Sequence, residues 1–193
     1  KDPGQVAAGR EAIDKAGLYG RVAIRRGDPG TLPCTKCFAN LIVSDQTLRT
    51  GELPPSADEV FRVLRPYGGV VALVQPAGSF NREKLIKWGR PSLADWQTGN
   101  MGELDLAWTT RAAPDGAGEW THALAEPGNS ACSGDKLIKG AMTVQWFGEP
   151  GPRDMIDRHH RNVPPLFKDG RLFVPGDCVV FAVDAYNGTI EWK

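Results

Sequence analysis

Residues Leu166 to Trp192 read LFKDGRLFVPGDCVVFAVDAYNGTIEW, and this stretch decides how the second half of the chain is built. Asp169-Gly170 stands between apolar runs, and Asp-Gly supplies the positive φ angles that a two-residue hairpin turn needs. Pro175-Gly176-Asp177 marks the next break. Beyond it Val179, Phe181 and Val183 alternate with Val180, Ala182 and Asp184, the period of two expected of a strand with two faces. Asn187-Gly188 closes a second tight hairpin, after which Thr189, Ile190 and Trp192 resume β-rich sequence. The stretch predicts three short strands separated by turns, with Trp192 large enough to anchor a contact between sheets.

Ala182-Val183-Asp184-Ala185-Tyr186-Asn187-Gly188, with Trp192 after it, resembles the blade repeat of PQQ-like (quinoprotein-type) β-propellers. The spacing combines a strand ending in Asp, an Asn-Gly turn whose backbone that Asp can cap, and a Trp wedged against the neighbouring blade. A propeller takes about four to eight blades of four strands each, and one unit is visible. The resemblance therefore implies a chain cut short within a larger propeller.

Outward from this stretch, composition sets the remaining bounds. A chain of 193 residues with 41% hydrophobic content has room for one large domain or two small ones with a buried core. Its 23 basic and 23 acidic residues cancel, which removes any global electrostatic case for nucleic acid or an anionic membrane surface. No apolar run approaches the roughly 20 residues of a membrane-spanning helix. Lys1-Asp2-Pro3-Gly4 carries neither an initiator Met nor a signal peptide, so any targeting segment is expected upstream.

The first half has a different rhythm. Val6, Ala7, Arg10, Ile13, Asp14 and Ala16 give helical spacing over Gln5–Leu18, with Pro3 acceptable in the first turn and Gly17 and Gly20 marking the end. Arg21–Arg25 alternates as a strand. Phe38–Val43 is a nearly continuous apolar run, which predicts a strand buried on both faces and hence a parallel sheet. Ser56–Leu64 reads as a helix, with Ser56 as N-cap and Glu59 placed as in a capping box. Val70–Val74 is a further buried strand, and Asn81–Trp88 a helix capped by Asn81. The order of helices and strands predicts an α/β sheet of the doubly wound, Rossmann-like kind.

Gly27-Asp28, the run Asn40-Leu41-Ile42-Val43-Ser44-Asp45, and Val60-Phe61-Arg62-Val63-Leu64-Arg65-Pro66-Tyr67-Gly68-Gly69-Val70 together resemble the second half of a class I S-adenosylmethionine-dependent methyltransferase. The resemblance covers about the first 105 residues. It implies that Asp28 lies near the adenine of S-adenosylmethionine, and that Ser44 and Asp45, at the carboxyl end of their strand, face the substrate. The chain departs from the family in two respects. Tyr67 stands where a Gly is usual, and the Gly-rich loop that admits the cofactor does not occur in the sequence. The acidic residue for the ribose is expected just before Lys1.

Arg111–Gly118 reads as a connector, which divides the chain into a methyltransferase-like domain (1–110), a linker (111–118) and the lead-in and first blade of a propeller (119–193). Within the last part, Met142–Phe147 predicts a strand. Arg153–Asn162 is the sharpest polar cluster. In it His159 and His160 adjoin Asp157 as weak candidates for a metal site, although adjacent residues on a strand point to opposite faces. Arg153, Arg158 and Arg161 could receive a carboxylate or phosphate, or form a solvated face. Cys34 and Cys37 form a C-x-x-C without a second pair at zinc-finger spacing or a thioredoxin-like context; free or structural thiols are expected, with a Cys34–Cys37 disulfide as the alternative in an exported protein. Trp120, Trp146 and Trp192 are read as blade-packing residues. The phrases in order resemble bacterial proteins that fuse a methyltransferase-like domain to a PQQ-like propeller.

Three functions follow from the resemblances. They are methyl transfer to an unknown small-molecule or protein acceptor, a non-catalytic binding or scaffold propeller, and quinone-dependent oxidation with pyrroloquinoline quinone and calcium. Resemblance to exported propeller proteins points to the periplasm.

Overall fold

The computed structural model describes residues 2–79, 81–89, 95–148, 151, 154 and 163–193. Helix α1 (Pro3–Lys15) begins on Asp2, whose side chain accepts the Gly4 N–H, with Pro3 at the first helical position. It buries none of its residues. Arg21–Arg25 does not form the expected strand. It runs as irregular chain with one bridge between Tyr19 and Val22, and Ile24 accepts a hydrogen bond from Arg10 Nε. Alternation alone is not enough where no neighbouring strand offers a ladder.

The first sheet has the order β1-β2-β4-β3, with β1 (Leu41–Val43), β2 (Val70–Pro76), β3 (Gln97–Met101) and β4 (Leu104–Thr110). β1 and β2 are parallel, whereas β4 runs antiparallel to both β2 and β3. The sheet is therefore mixed rather than parallel throughout. Three helices accompany it: α2 (Asp45–Thr50), α3 (Ala57–Val63) and α4 (Arg82–Gly89). Val60, Phe61 and Leu64 from α3 and its C-cap meet Leu85 of α4 and Val71, Leu73 and Ala107 of the sheet in one buried cluster. Both predicted caps are present, with Ser56 Oγ accepting from Glu59 N and Asn81 Oδ1 from Lys84 N.

Two expectations change here. The Phe38–Val43 run forms a strand only over Leu41–Val43, at the edge of the sheet, with a single parallel bridge before it between Ala39 and Leu64. Ile42 packs on the cluster while Leu41 and Val43, on the other face, are 60% and 64% exposed. The β3–β4 hairpin was not anticipated, because Gly, Asp and Thr dominate its surroundings. Leu104, Leu106 and Trp108 nevertheless alternate with Asp105, Ala107 and Thr109, and Gly102 at φ 65° turns the chain.

The second sheet is a separate antiparallel meander of four strands rather than three: β5 (Leu166–Lys168), β6 (Arg171–Gly176), β7 (Val179–Asp184) and β8 (Ile190–Trp192). Asp169 and Gly170 take φ 49° and 78°, as the Asp-Gly turn requires. β6 continues through Pro175 and Gly176, so the next turn falls on Asp177-Cys178. Asn187-Gly188 is not a two-residue hairpin. Residues 185–189 form a wider loop around Asp184, whose Oδ1 accepts the Tyr186 N–H at 2.8 Å and whose carbonyl accepts that of Gly188 at 2.9 Å. One sheet of this kind is formed by the described residues, and it is not a closed propeller.

Trp192 does not link the sheets. It is 47% exposed and packs on Phe173 of its own sheet. Trp146 packs on the 185–189 loop of the second sheet, donating to Ala185 O at 2.9 Å and lying over Gly188, where a β-carbon would come within 2.6 Å of the indole. Met142–Phe147 does not form the expected strand, and Met142, Val144 and Phe147 are exposed. Trp120 bridges β5 through paired backbone bonds with Phe167. No helix among the described residues is long and apolar enough to cross a membrane.

The two sheets meet along a seam made from the two motifs that stood out in the sequence. Arg65 Nη1 lies 2.6 Å from Asp184 Oδ2, with side chains only 12% and 2% exposed. Tyr67 holds a left-handed φ of 58°, and its ring sits edge-on to Phe167 and stacked on Tyr186, with centroids 6.1 and 6.2 Å away. Gly170 permits this approach, since a β-carbon there would lie 2.7 Å from Tyr67 Cβ. Asn187 Nδ2 donates to Phe38 O and Asn40 Oδ1.

Removing one member of a buried ion pair leaves the other charge uncompensated, so Asp184→Ala should lower the unfolding free energy by about 3 kcal/mol in urea titrations. Burial, with Tyr67 beside it, pushes the Tyr186 hydroxyl up from 10 to about 12. A raised pKa means the folded chain holds its proton more tightly, so this contribution is complete below pH 10 and is lost as the pH rises through about 12. The urea midpoint should fall across that interval, and Tyr186→Phe should remove part of the fall.

Candidate functional site

At the carboxyl end of β1 the chain leaves Val43 and turns at once into α2. Ser44 is the N-cap, with extended backbone (φ −124°, ψ 111°) and Oγ accepting the Thr47 N–H at 3.1 Å. Asp45 occupies the first turn and pairs with Arg49 one turn on, at 3.1 Å and largely exposed. Gly51, at φ 71°, ends the helix, and the buried Gln75 of β2 donates to its carbonyl at 2.8 Å. Thr47 is fully buried and donates to Glu52 O. These bonds fix a short helix that could not stand alone.

A cavity of about 480 Å³ opens beside α2, lined by Ser44, Asp45, Gln46, Arg49 and Thr50 on one side and by Pro29, Pro54 and Pro55 on the other. Pro29 belongs to the turn that begins at Asp28. Asp28 is exposed, its Oδ1 accepts the Gly30 N–H at 2.8 Å, and its carbonyl accepts that of Thr31. The next residues are held from a distance by α3. Glu59 Oε1 accepts the Leu32 N–H at 2.6 Å, and Arg62 Nη2 donates to Leu32 O and Cys34 O at 3.1 and 3.0 Å. Glu59 and Arg62 are themselves paired at 2.7 Å. The Arg62 hydrogen bond, helped by the Leu32 N–H and opposed by desolvation, holds the Glu59 carboxyl below its usual range. Only half of the expected capping box exists, because Glu59 reaches out to this loop.

Of the three residues singled out in the sequence, Ser44 and Asp45 line this hollow, whereas Asp28 does not line it and is only the chain neighbour of Pro29, which does. Arg49, the three prolines and the Glu59–Arg62 clamp were not foreseen. Helix α2 was not anticipated either, although the Ser44 N-cap and the Gly51 stop are the signals that point to it, whereas Glu59 and Arg62 act on residues some thirty positions away. His159, His160 and Asp157 lie outside the described residues, as do Arg153, Arg158 and Arg161. Among the described residues no group of three or more His, Cys, Asp or Glu is placed to hold a metal ion. His122 stands elsewhere, with Nδ1 2.9 Å from Thr121 Oγ1.

No family model matches the chain, and no curated protein matches it. Among solved structures it is similar to a SAM dependent methyltransferase from Aquifex aeolicus, with 14% identity and a TM-score of 0.46 over 56% of this chain and 64% of that one. It is also similar to a protein of Methanococcus maripaludis assigned as an S-adenosyl-L-methionine-dependent methyltransferase, with 18% identity and a TM-score of 0.38 over 55% and 62%. In both comparisons the chain spans less than two thirds of the other protein.

If α3 holds the wall of the cavity, Glu59→Ala should free the 28–34 loop without unfolding the sheet. Amide exchange at Leu32 should quicken by roughly tenfold while that of Val71 and Leu73 is unchanged.

Proposed function

We propose that the first part of this chain is an S-adenosylmethionine-dependent methyltransferase-like module, joined to the first sheet of a PQQ-like propeller. The observation that carries this reading is the cavity at the carboxyl end of β1. In open α/β sheets ligands bind outside the carboxyl ends of parallel strands, and β1–β2 is the parallel pair of this sheet. The V-F-R-V-L-R-P-Y-G-G phrase leads into the second of those strands.

The residues present suit one end of the cofactor. Asp28 offers an exposed carboxylate that could accept from the adenine amine, and Pro29 beside it gives an apolar surface for the ring. Bound there, S-adenosylmethionine would supply the methyl group to an acceptor, either a small molecule or a protein. Ser44 and Asp45, in the same wall, would hold the accepting atom, the hydroxyl by donating and the carboxylate by taking a proton from it.

A second reading has an observation of its own. Ser44 Oγ already caps α2, Asp45 is paired with Arg49, and Tyr67 ties the Gly-Gly turn to the second sheet. These engagements favour a non-catalytic binding or scaffold module. The alternative of pyrroloquinoline quinone with calcium rests on the blade resemblance alone.

Saturation-transfer NMR with S-adenosylmethionine separates the first two readings. Transfer to the adenine protons is expected, with Asp28→Ala weakening binding about tenfold, or roughly 1.4 kcal/mol. Absence of transfer, or a variant that binds as well as the parent, overturns the adenine role of Asp28 and leaves the scaffold reading.

A further inference from the structure

The turn Cys34-Thr35-Lys36-Cys37 lines no part of the cavity, yet its setting is specific. Both of its ends are bonded to one residue, Arg62. The guanidinium donates to Cys34 O at 3.0 Å, and the Cys37 N–H donates to Arg62 O at 2.8 Å. Cys37 holds φ at 56°, a left-handed conformation that a residue with a β-carbon keeps only where its surroundings impose it. Arg111 Nη1 lies 3.7 Å from Cys37 Sγ while also donating to Phe61 O at 2.8 Å, so the sulfur faces a guanidinium that is itself fixed. Cys34 is exposed, Cys37 is half-buried, and both are free thiols.

The turn is also bonded to the 142–147 segment, Lys36 O accepting from Gln145 Nε2 at 2.6 Å, and the residue after it, Phe38, accepts at its carbonyl from Asn187 Nδ2 of the 185–189 loop at 3.1 Å. A covalent change within the turn would act directly on these two bonds.

We propose that Cys34 and Cys37 form a thiol–disulfide modification site that responds to low-molecular-weight disulfides. The exposed Cys34, as thiolate, attacks one sulfur of the disulfide RSSR, forming Cys34–SR and expelling RS⁻. Cys37 then attacks Cys34 Sγ, forming the Cys34–Cys37 bond and expelling the second RS⁻. Two protein thiols are oxidised and one external disulfide is reduced to two thiols, which take up the two protons that the cysteines give up. Arg111 places a positive charge beside the sulfur that bears negative charge in the second step. The C-x-x-C spacing, with only two residues between the cysteines, favours closure within the chain over a lasting mixed disulfide. Cys132 and Cys178 are exposed free thiols with no second cysteine so near in sequence, and they serve as internal controls. This proposal does not depend on the methyl-transfer reading.

The test is to equilibrate the full chain with glutathione at a series of oxidised-to-reduced ratios, trap free thiols by alkylation, and weigh the peptides. The peptide holding Cys34 and Cys37 should lose two hydrogens. Both its sulfurs should take up roughly tenfold less label than Cys132 and Cys178, and dithiothreitol should restore labelling. In Cys37→Ser the reaction should stop at a glutathione adduct on Cys34. Equal labelling of all four cysteines at every ratio, or an adduct on Cys34 that persists in the unmutated chain, would overturn the proposal.

Discussion

The buried pair between Arg65 and Asp184 is the constraint on which the arrangement of the two sheets depends. Taking two charges out of water costs several kcal/mol per ion, and their attraction offsets this only when the remaining polar atoms are also satisfied. Asp184 meets that condition. Its Oδ1 takes the Tyr186 N–H while Oδ2 takes Arg65 and Asn187. Arg65 meets it incompletely, because its Nε has no partner among the described residues. Such a pair adds little net stability. Its effect is on geometry, since a shift of one sheet against the other would strand a charge in the interior.

Tyr67 shows the same preference for fixed geometry over local comfort. A bulky residue at positive φ costs on the order of 1–3 kcal/mol, which a glycine would avoid. The ring recovers that cost by packing between Phe167 and Tyr186. Tyr67 thus adds an aromatic contact to a seam that the Arg65–Asp184 pair and Asn187 also hold.

What was legible in the sequence follows from how far each signal reaches. The caps Ser56 and Asn81, the Asp169-Gly170 turn, and the strands around Val71 and Phe181 are decided within a few residues, and they were readable. Arg21–Arg25 and Met142–Phe147 carry strand-like sequence but have no neighbouring strand, and a ladder cannot be inferred from one of its sides. The opposite error hid β3 and β4, where polar composition masked a sound alternation. Asp28, Ser44 and Asp45 are named as site residues from motif order, yet the clamp that holds the chain at Leu32 and Cys34, just beyond Asp28, is not legible. Glu59 and Arg62 read as an ordinary helical pair until Leu32 is seen against them.

The cavity's chemistry is bound to the stability of α2. Ser44 Oγ spends a lone pair on the Thr47 N–H, which leaves its own proton to donate into the hollow. Asp45 gives Oδ2 to Arg49, which leaves Oδ1 to accept. A ligand that meets both in the proposed site must offer a lone pair and a proton on neighbouring atoms or on the same one, as a hydroxyl or an amine does. A purely anionic ligand would satisfy Ser44 and oppose Asp45, and could be held only by drawing Arg49 away from its partner. That exchange would weaken the first turn of a six-residue helix, so the same bonds that shape the cavity also narrow what it can accept.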